Sequence, residues 1–240
     1  MGGASLLDPG SYFFNGSIDD VRVYNRALSA SEVMQVYKAG AATLGAAPLN
    51  PIATGLVGYW TFDGKNLIQN ATDSSGQGNS GYLMNFTATT TAVGKLGQAL
   101  SFNGTTNYVS APTSTSGIKS AAFWVKTSNT GAQGLINLTG STVFISTNAS
   151  KVISGTGFTS PVYYVDGIAS TTPGLYDAKW HHIVVTSTAG FTGNQIEMGR
   201  ANSQYFSGQL DDVRLYGHTL TATEAMQLAK SGQIKTTVTR

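Results

Sequence analysis

Three glutamates, Glu32, Glu197 and Glu224, are the only ones in the 240 residues. Retaining hydrolysis of a glycosidic bond needs two carboxyl groups roughly 5 Å apart. Glu197, in "NQIEMGR", has no carboxylate partner at a fitting spacing, and Glu32 and Glu224 each stand three residues after a Ser or Thr, the position that caps a helix. The three histidines, His181, His182 and His218, form no His-Glu-x-x-His pattern, and no Gly-x-Ser-x-Gly elbow or phosphate loop occurs. Cysteine is absent, which removes disulfides, thiolate metal sites and cysteine nucleophiles. We therefore expect a protein that is not an enzyme.

Aspartates offer other chemistry. In "GQLDDVRLY" the alternation of a strand sends Asp211 and Asp212 to opposite faces. With Val213 and Leu215 in a core, Asp211 shares their face and Asp212 shares that of Arg214. An inward carboxylate needs a cation, donors or water. Calcium is one candidate, since it takes six to eight oxygens. The loop "DSSGQGN" supplies Asp73, Ser74 and Asn79, and Asp63 approaches along the preceding strand, so the metal set reads Asp63, Asp73, Asn79 and Asp211. The alternative is that Asp211 accepts backbone or serine hydrogen bonds while Asp212 pairs with Arg214 or a lysine.

Aromatic rings are the remaining carriers of function, because sugars stack their C–H faces on them. Trp60, Trp124 and Trp180 stand inside apolar strand patterns, where burial is the default. Tyr82, Tyr108 and Tyr164 alternate outward or lie near loops, so a glycan platform would draw on them together with Asn107 and Asp166. For each of them taken singly, a core or rim role is the commoner reading.

The elements that would hold these residues are mostly strands. Charged residues make up 11% of the chain, glycines number 29, and the formal charge is +2 with no basic cluster. That is a hydroxyl-rich, nearly neutral surface without the footprint of a nucleic-acid binder. No run of about 18 apolar residues marks a membrane span. "GLVGYWTFDG", "QALSFNGTTNYVSAP" and "SAAFWVKTS" read as strands, the second as two strands joined at Asn103–Gly104. The fold class expected is all-β, a two-sheet antiparallel sandwich with one short C-terminal helix.

The chain also says one thing twice. Residues 14–40 and 206–232 align without a gap at an offset of 192 (206 − 14), with 14 of 27 positions identical. Each copy runs from a strand into a helix, opened by Ser29 with Glu32 or by Thr221 with Glu224. Gly40 and Gly232 suit the helix stops. Val33, Val36 and Tyr37 make one buried stripe, and Ala225, Leu228 and Ala229 the other. An offset this long is the size of a domain rather than of a solenoid unit. The organisation expected is a remnant of a preceding repeat (1–40), a linker (41–54), a complete domain (55–232) and a tail (233–240). The closing strand is expected at a sheet edge, where residues 14–40 of a second copy could swap in and make a homo-oligomer.

Five blocks in order resemble the laminin-G-like, concanavalin A-like domains of bacterial surface and secreted proteins. They are Gly58–Asp63, Asp73–Gly76 with Asn79 and Gly81, Gly97–Gly104, Trp180–His182 and Gly208–Leu220. The resemblance implies a jelly roll whose first and last strands lie side by side, an extracellular or cell-surface setting, and a glycan-binding or adhesive role. Glucan-cleaving enzymes of that fold carry a Glu-x-Asp-x-x-Glu strand, which is missing here. The alternative role is a structural spacer or assembly subunit with no specific ligand.

Overall fold

Alternating apolar residues become seventeen strands in the computed structural model, which describes residues 23–29, 32–33, 53–63, 70–87, 90–112, 114–175 and 177–231. The chain divides into two units, Met1–Leu49 and Asn50–Arg240. In the first unit, Ser29 and Glu32 exchange the bonds of a capping box, Glu32 N to Ser29 Oγ at 3.3 Å and Ser29 N to Glu32 Oε2 at 2.9 Å. Val33, expected in a buried stripe, is 54% exposed. About 40 residues have little core to bury it in. Asp19, Asp20, Val36, Tyr37 and Gly40, most of the linker, Gly232 and the tail lie outside the described residues.

The strands of the second unit are β1 Leu56–Trp60, β2 Asn70–Ala71, β3 Gly81–Met84, β4 Thr91–Val93, β5 Gln98–Asn103, β6 Tyr108–Ala111, β7 Thr115–Lys126, β8 Gln133–Asn137 and β9 Phe144–Thr147. They continue as β10 Ile153–Thr156, β11 Tyr163–Val165, β12 Ile168–Ser170, β13 His181–Gly193, β14 Ile196–Met198, β15 Arg200–Ala201, β16 Gln204–Tyr205 and β17 Ser207–Tyr216. One sheet has the order β12-β11-β13-β7-β17-β5-β4, with β1 also on β17. The other has β10-β9-β8-β14-β6-β3-β2, with the β15–β16 hairpin against β8. The two inward faces share one core, Phe123, Val125, Ile183, Leu210 and Val213 from the first sheet meeting Val109, Ile136, Ile145 and Met198 from the second. This is an all-β antiparallel sandwich. Asn103–Gly104 does join two strands, but β5 and β6 belong to different sheets, so the turn is a crossing and not a hairpin.

The helix Ala222–Lys230 covers the outer face of the first sheet, packing Ala225 and Leu228 on Ala122, Tyr164, Val184 and Tyr216. Its start is the expected capping box, with Glu224 N donating to Thr221 Oγ1 and Thr221 N to Glu224 Oε2.

Two expectations about the closing strand are corrected. β17 is not an edge: it lies between β7 on one side and β5 and β1 on the other. A second copy of the strand would have to displace it from three partners. Asp211 does not share the face of Val213 and Leu215, because the register against β7 shifts between Asp211 and Arg214, and Asp212 takes φ 53°. That bulge adds one residue and resets the alternation. Leu210, Val213 and Leu215 all point into the core, while Asp211 lies opposite Trp124 on the outer face.

Candidate functional site

The same alternation lines up a polar row on the outer face of the second sheet. Met198, Val109 and Ile136 face the core, so their neighbours face out. Tyr82 of β3 lies opposite Ser110 of β6, Ser110 opposite Glu197 of β14, and Glu197 opposite Asn137 of β8. The β15–β16 hairpin then folds over this row. Its two-residue turn, Asn202 at φ 47° and Ser203 at φ 59°, has the twist that suits tight hairpins and sets Arg200 opposite Tyr205. Gly134 makes the overlay feasible, since a Cβ there would stand 2.3 Å from the backbone nitrogen of Ala201.

Between these elements is a pocket of about 460 Å³, lined by Asn137, Gln195, Glu197, Arg200, Ser203 and Tyr205 among others. Such a volume falls in the range of about 300–1,000 Å³ typical of small-ligand sites. Glu197 is 4% exposed and its carboxylate is fully engaged. Oε2 accepts from Arg200 Nε at 3.1 Å and Asn137 Nδ2 at 3.1 Å; Oε1 accepts from Gln195 Nε2 at 3.2 Å and from Arg200 Nη2. The guanidinium lies 4.0 Å over the Tyr108 ring and 5.8 Å from that of Tyr205. Asn137, 2% exposed, keeps one atom without a partner, the acceptor Oδ1.

Of the expected platform, Tyr108 alone touches these residues, through Arg200 and an edge contact with Tyr205. Tyr82 shares the outer face and is 57% exposed. Asn107 is buried in turn architecture: its Nδ2 donates to Asn85 O and its Oδ1 accepts from Asn103 N at 3.2 Å. Tyr164 and Asp166 belong to the other sheet, Tyr164 beneath the helix. Sequence reasoning passed over Asn137, Gln195, Arg200 and Tyr205, and weighed Glu197 only as a catalytic carboxylate. Glu197 and Asn137 stand 60 residues apart and meet only through strand pairing, so no local spacing announces them. The Asn202–Ser203 turn was the one readable signal that Arg200 and Tyr205 would face each other.

Asp166 has a different task. In the β11–β12 turn it accepts from His182 N at 2.8 Å and holds His181 Nδ1 at 2.8 Å, while Asp177 holds His181 Nε2 at 2.7 Å. Asp166 and Asp177 push the His181 imidazole up to about 9, against the opposing effect of partial burial. A raised histidine stabilises fully below its unfolded pKa and loses that contribution as pH climbs through the folded one. The melting temperature is therefore expected to fall between about pH 6.5 and about pH 9 by more in the wild-type chain than in His181→Asn, as followed by thermal melts of both across that range.

The expected metal set does not assemble. Asp73 Oδ1 accepts from Tyr59 N and Ser75 N, and Oδ2 from Ser75 Oγ and Asn79 N, all at 2.8–2.9 Å. Burial would raise this carboxyl, but these bonds together hold it below its ordinary value. Asn79 directs its Nδ2 to Val57 O, so the loop is closed on β1 rather than open to a cation. Asp63 accepts from Gln98 N at 2.7 Å and Asp211 Oδ2 from Leu96 N at 2.8 Å, both fastening the turn between β4 and β5. Burial, with Asp212 and Asp63 adding to it, pushes Asp211 up to about 7. Among the described residues no three His, Cys, Asp or Glu side chains are placed to share a metal.

No protein-family model matches the chain, and no curated protein matches it. Solved structures do share its fold. The binding domain of Paraclostridial mosquitocidal protein 1 superposes with a TM-score of 0.54 at 13% identity, over 75% of this chain and 53% of that one. Trypanosoma rangeli sialidase with 2,3-difluorosialic acid gives 0.50 at 11%, over 75% of this chain and 33% of that one. Domain 4 of AbnA, a GH43 extracellular arabinanase from Geobacillus stearothermophilus, in complex with arabinotriose, gives 0.42 at 21%, over 72% and 98%. The chain spans about a third of the sialidase's length. At these identities the likeness to the first two is one of fold, a β-sandwich.

Proposed function

We propose that residues 55–232 are a non-catalytic glycan-binding module of laminin-G-like jelly-roll type, working in an extracellular or cell-surface protein of tandem repeats, and that the ligand occupies the pocket over β8 and β14. The observation that carries this reading is Asn137 Oδ1, a buried acceptor without a partner on a residue that lines a pocket of polar side chains and a tyrosine. Ten buried side-chain polar atoms lack a partner among the described residues, and Asn137 Oδ1 is the one that belongs to this pocket's lining, where a ligand hydroxyl would complete it. Glu197 is the sole carboxylate lining the pocket, whereas glycosidic hydrolysis ordinarily uses two. The near-repeat of residues 14–40 in 206–232 supports a tandem setting. Among the described residues no helix is long and apolar enough to cross a membrane.

A glycan array run on the full chain, with calcium and with chelator, tests the reading. Binding is expected under both conditions, because Glu197 has no lone pair left for a cation. Asn137→Ala, which leaves the Glu197–Arg200 pair in place, is expected to weaken the best signal at least about tenfold, the effect of one lost buried hydrogen bond. Silence across the array would point instead to a spacer or assembly subunit. A signal abolished by chelator would return calcium to Asp63 and Asp211, the two carboxylates of the expected set not fully occupied.

A further inference from the structure

The glycan reading can be taken to the chemistry of the sugar. Glu197 is an acceptor only, and this fixes the direction of both amides beside it. Asn137 and Gln195 must each turn their N–H₂ toward the carboxylate, as they do at 3.1 and 3.2 Å. Their carbonyl oxygens are then committed to the other side. Asn137 Oδ1 is buried without a partner, and Gln195 Oε1 lies against the pocket wall, 3.3 Å from where a Cβ on Gly140 would be. So the buried carboxylate leaves an acceptor, not a donor, at the free end of both pocket-lining amides.

The charges point the same way. Arg200 and Glu197 are the only charged side chains lining the pocket, and they are joined by two bonds. Arg200 is further fixed over the Tyr108 ring at 4.0 Å. An acidic ligand approaching that guanidinium would meet its counter-charge beside it. It would lose hydration without gaining a free cation. A neutral ligand avoids that loss.

We propose that the pocket selects a neutral sugar residue that donates a hydroxyl hydrogen bond to Asn137 Oδ1, and that it discriminates against sugars bearing a carboxylate. This rests on the glycan reading above. Specificity arises because a ligand without the donor leaves a buried acceptor unmade.

The test is calorimetric titration of the full chain with glucose, galactose, mannose, xylose, arabinose and lactose, beside glucuronate, galacturonate and sialyllactose, followed by deoxy and deoxyfluoro analogues of the best neutral binder. A fluorine can accept a hydrogen bond but cannot donate one. At one ring position, deoxy and deoxyfluoro analogues are therefore expected to lose affinity equally, by tenfold or more. Each acidic sugar is expected to bind at least tenfold more weakly than its neutral counterpart, and the neutral affinity to be unchanged from low to high salt. The proposal is overturned if an acidic sugar equals or exceeds its neutral counterpart, or if the fluoro analogues keep their affinity at every position. Both of those outcomes leave the glycan reading standing. Binding of none of these sugars, together with a silent array, removes that reading and this one together.

Discussion

Replacing Arg214 by methionine is expected to lower the unfolding free energy by about 3–5 kcal/mol, the usual cost of stranding one partner of a buried ion pair. Arg214 Nη2 lies 2.8 Å from Asp212 Oδ2, and the two side chains are 5% and 3% exposed. Burial alone would lower the guanidinium's pKa, and Asp212 together with Tyr59 and Tyr216 more than offsets it. The same nitrogen donates to Tyr59 OH at 3.0 Å, and the guanidinium stacks 4.4 Å from that ring. Tyr59 lies directly opposite in β1, so the contact also fastens the first strand to the last. Urea unfolding should show the midpoint drop with an unchanged slope, and a melt should fall by about 6–20 °C for a domain of this size. Adding Asp212→Asn should restore at least about half of the loss, because asparagine tolerates the left-handed backbone at φ 53° and carries no charge to strand. A loss under about 1 kcal/mol for Arg214→Met would mean that Asp212 finds other donors and that the pair is not what secures β17.

That pair shows which parts of the molecule the sequence reveals. Pairing of Asp212 with Arg214 was one of two readings available, since residues two apart on a regular strand share a face. The orientation of Asp211 was misjudged. A bulge adds one residue and inverts every face upstream of it, and its only local mark is an aspartate in the left-handed region, a conformation aspartate adopts without a sequence signature. Helix caps fared better because they are local: Thr221 and Glu224 are three residues apart and make the bonds that spacing implies. The sandwich itself was legible from alternation and turn density. Its strand order was not, which is why β17 was expected at an edge and stands inside the sheet.

The pocket was illegible for the same reason as the strand order. Alternation predicts that Glu197 opposes Ile196 and Met198 across β14, but not that Asn137 lies beside it. That follows from β14 entering between β8 and β6. The nominated tyrosines divided between the two sheets because exposure near a loop does not say which sheet the loop joins. Tyr108 stacks on Arg200 of the pocket lining and Tyr164 went under the helix.

Glu197→Ala is expected to abolish glycan binding, by a factor of about 100 or more, equivalent to about 2.7 kcal/mol. The carboxylate need not touch the ligand for this. It takes four donors from three side chains, Asn137, Gln195 and Arg200, and without it both amides are free to turn and the guanidinium loses its anchor. The acceptors facing the ligand then cease to be fixed. Stability should fall as well, by about 2–3 kcal/mol, less than for a fully buried pair because the Arg200 side chain is 26% exposed. Glu197→Gln keeps the shape but sets a donor among donors, so an intermediate loss of about tenfold in affinity is expected. The double variant Glu197→Ala/Arg200→Ala should bind no worse than Glu197→Ala alone, since the two residues act as one unit and their effects are not additive. Calorimetry on the full chain, with melts run in parallel to show that each variant is folded at the working temperature, separates a lost site from a lost fold. A folded Glu197→Ala protein that binds within about twofold of wild type would place the ligand elsewhere on the sandwich, because no pocket held together by this carboxylate could survive its removal unchanged.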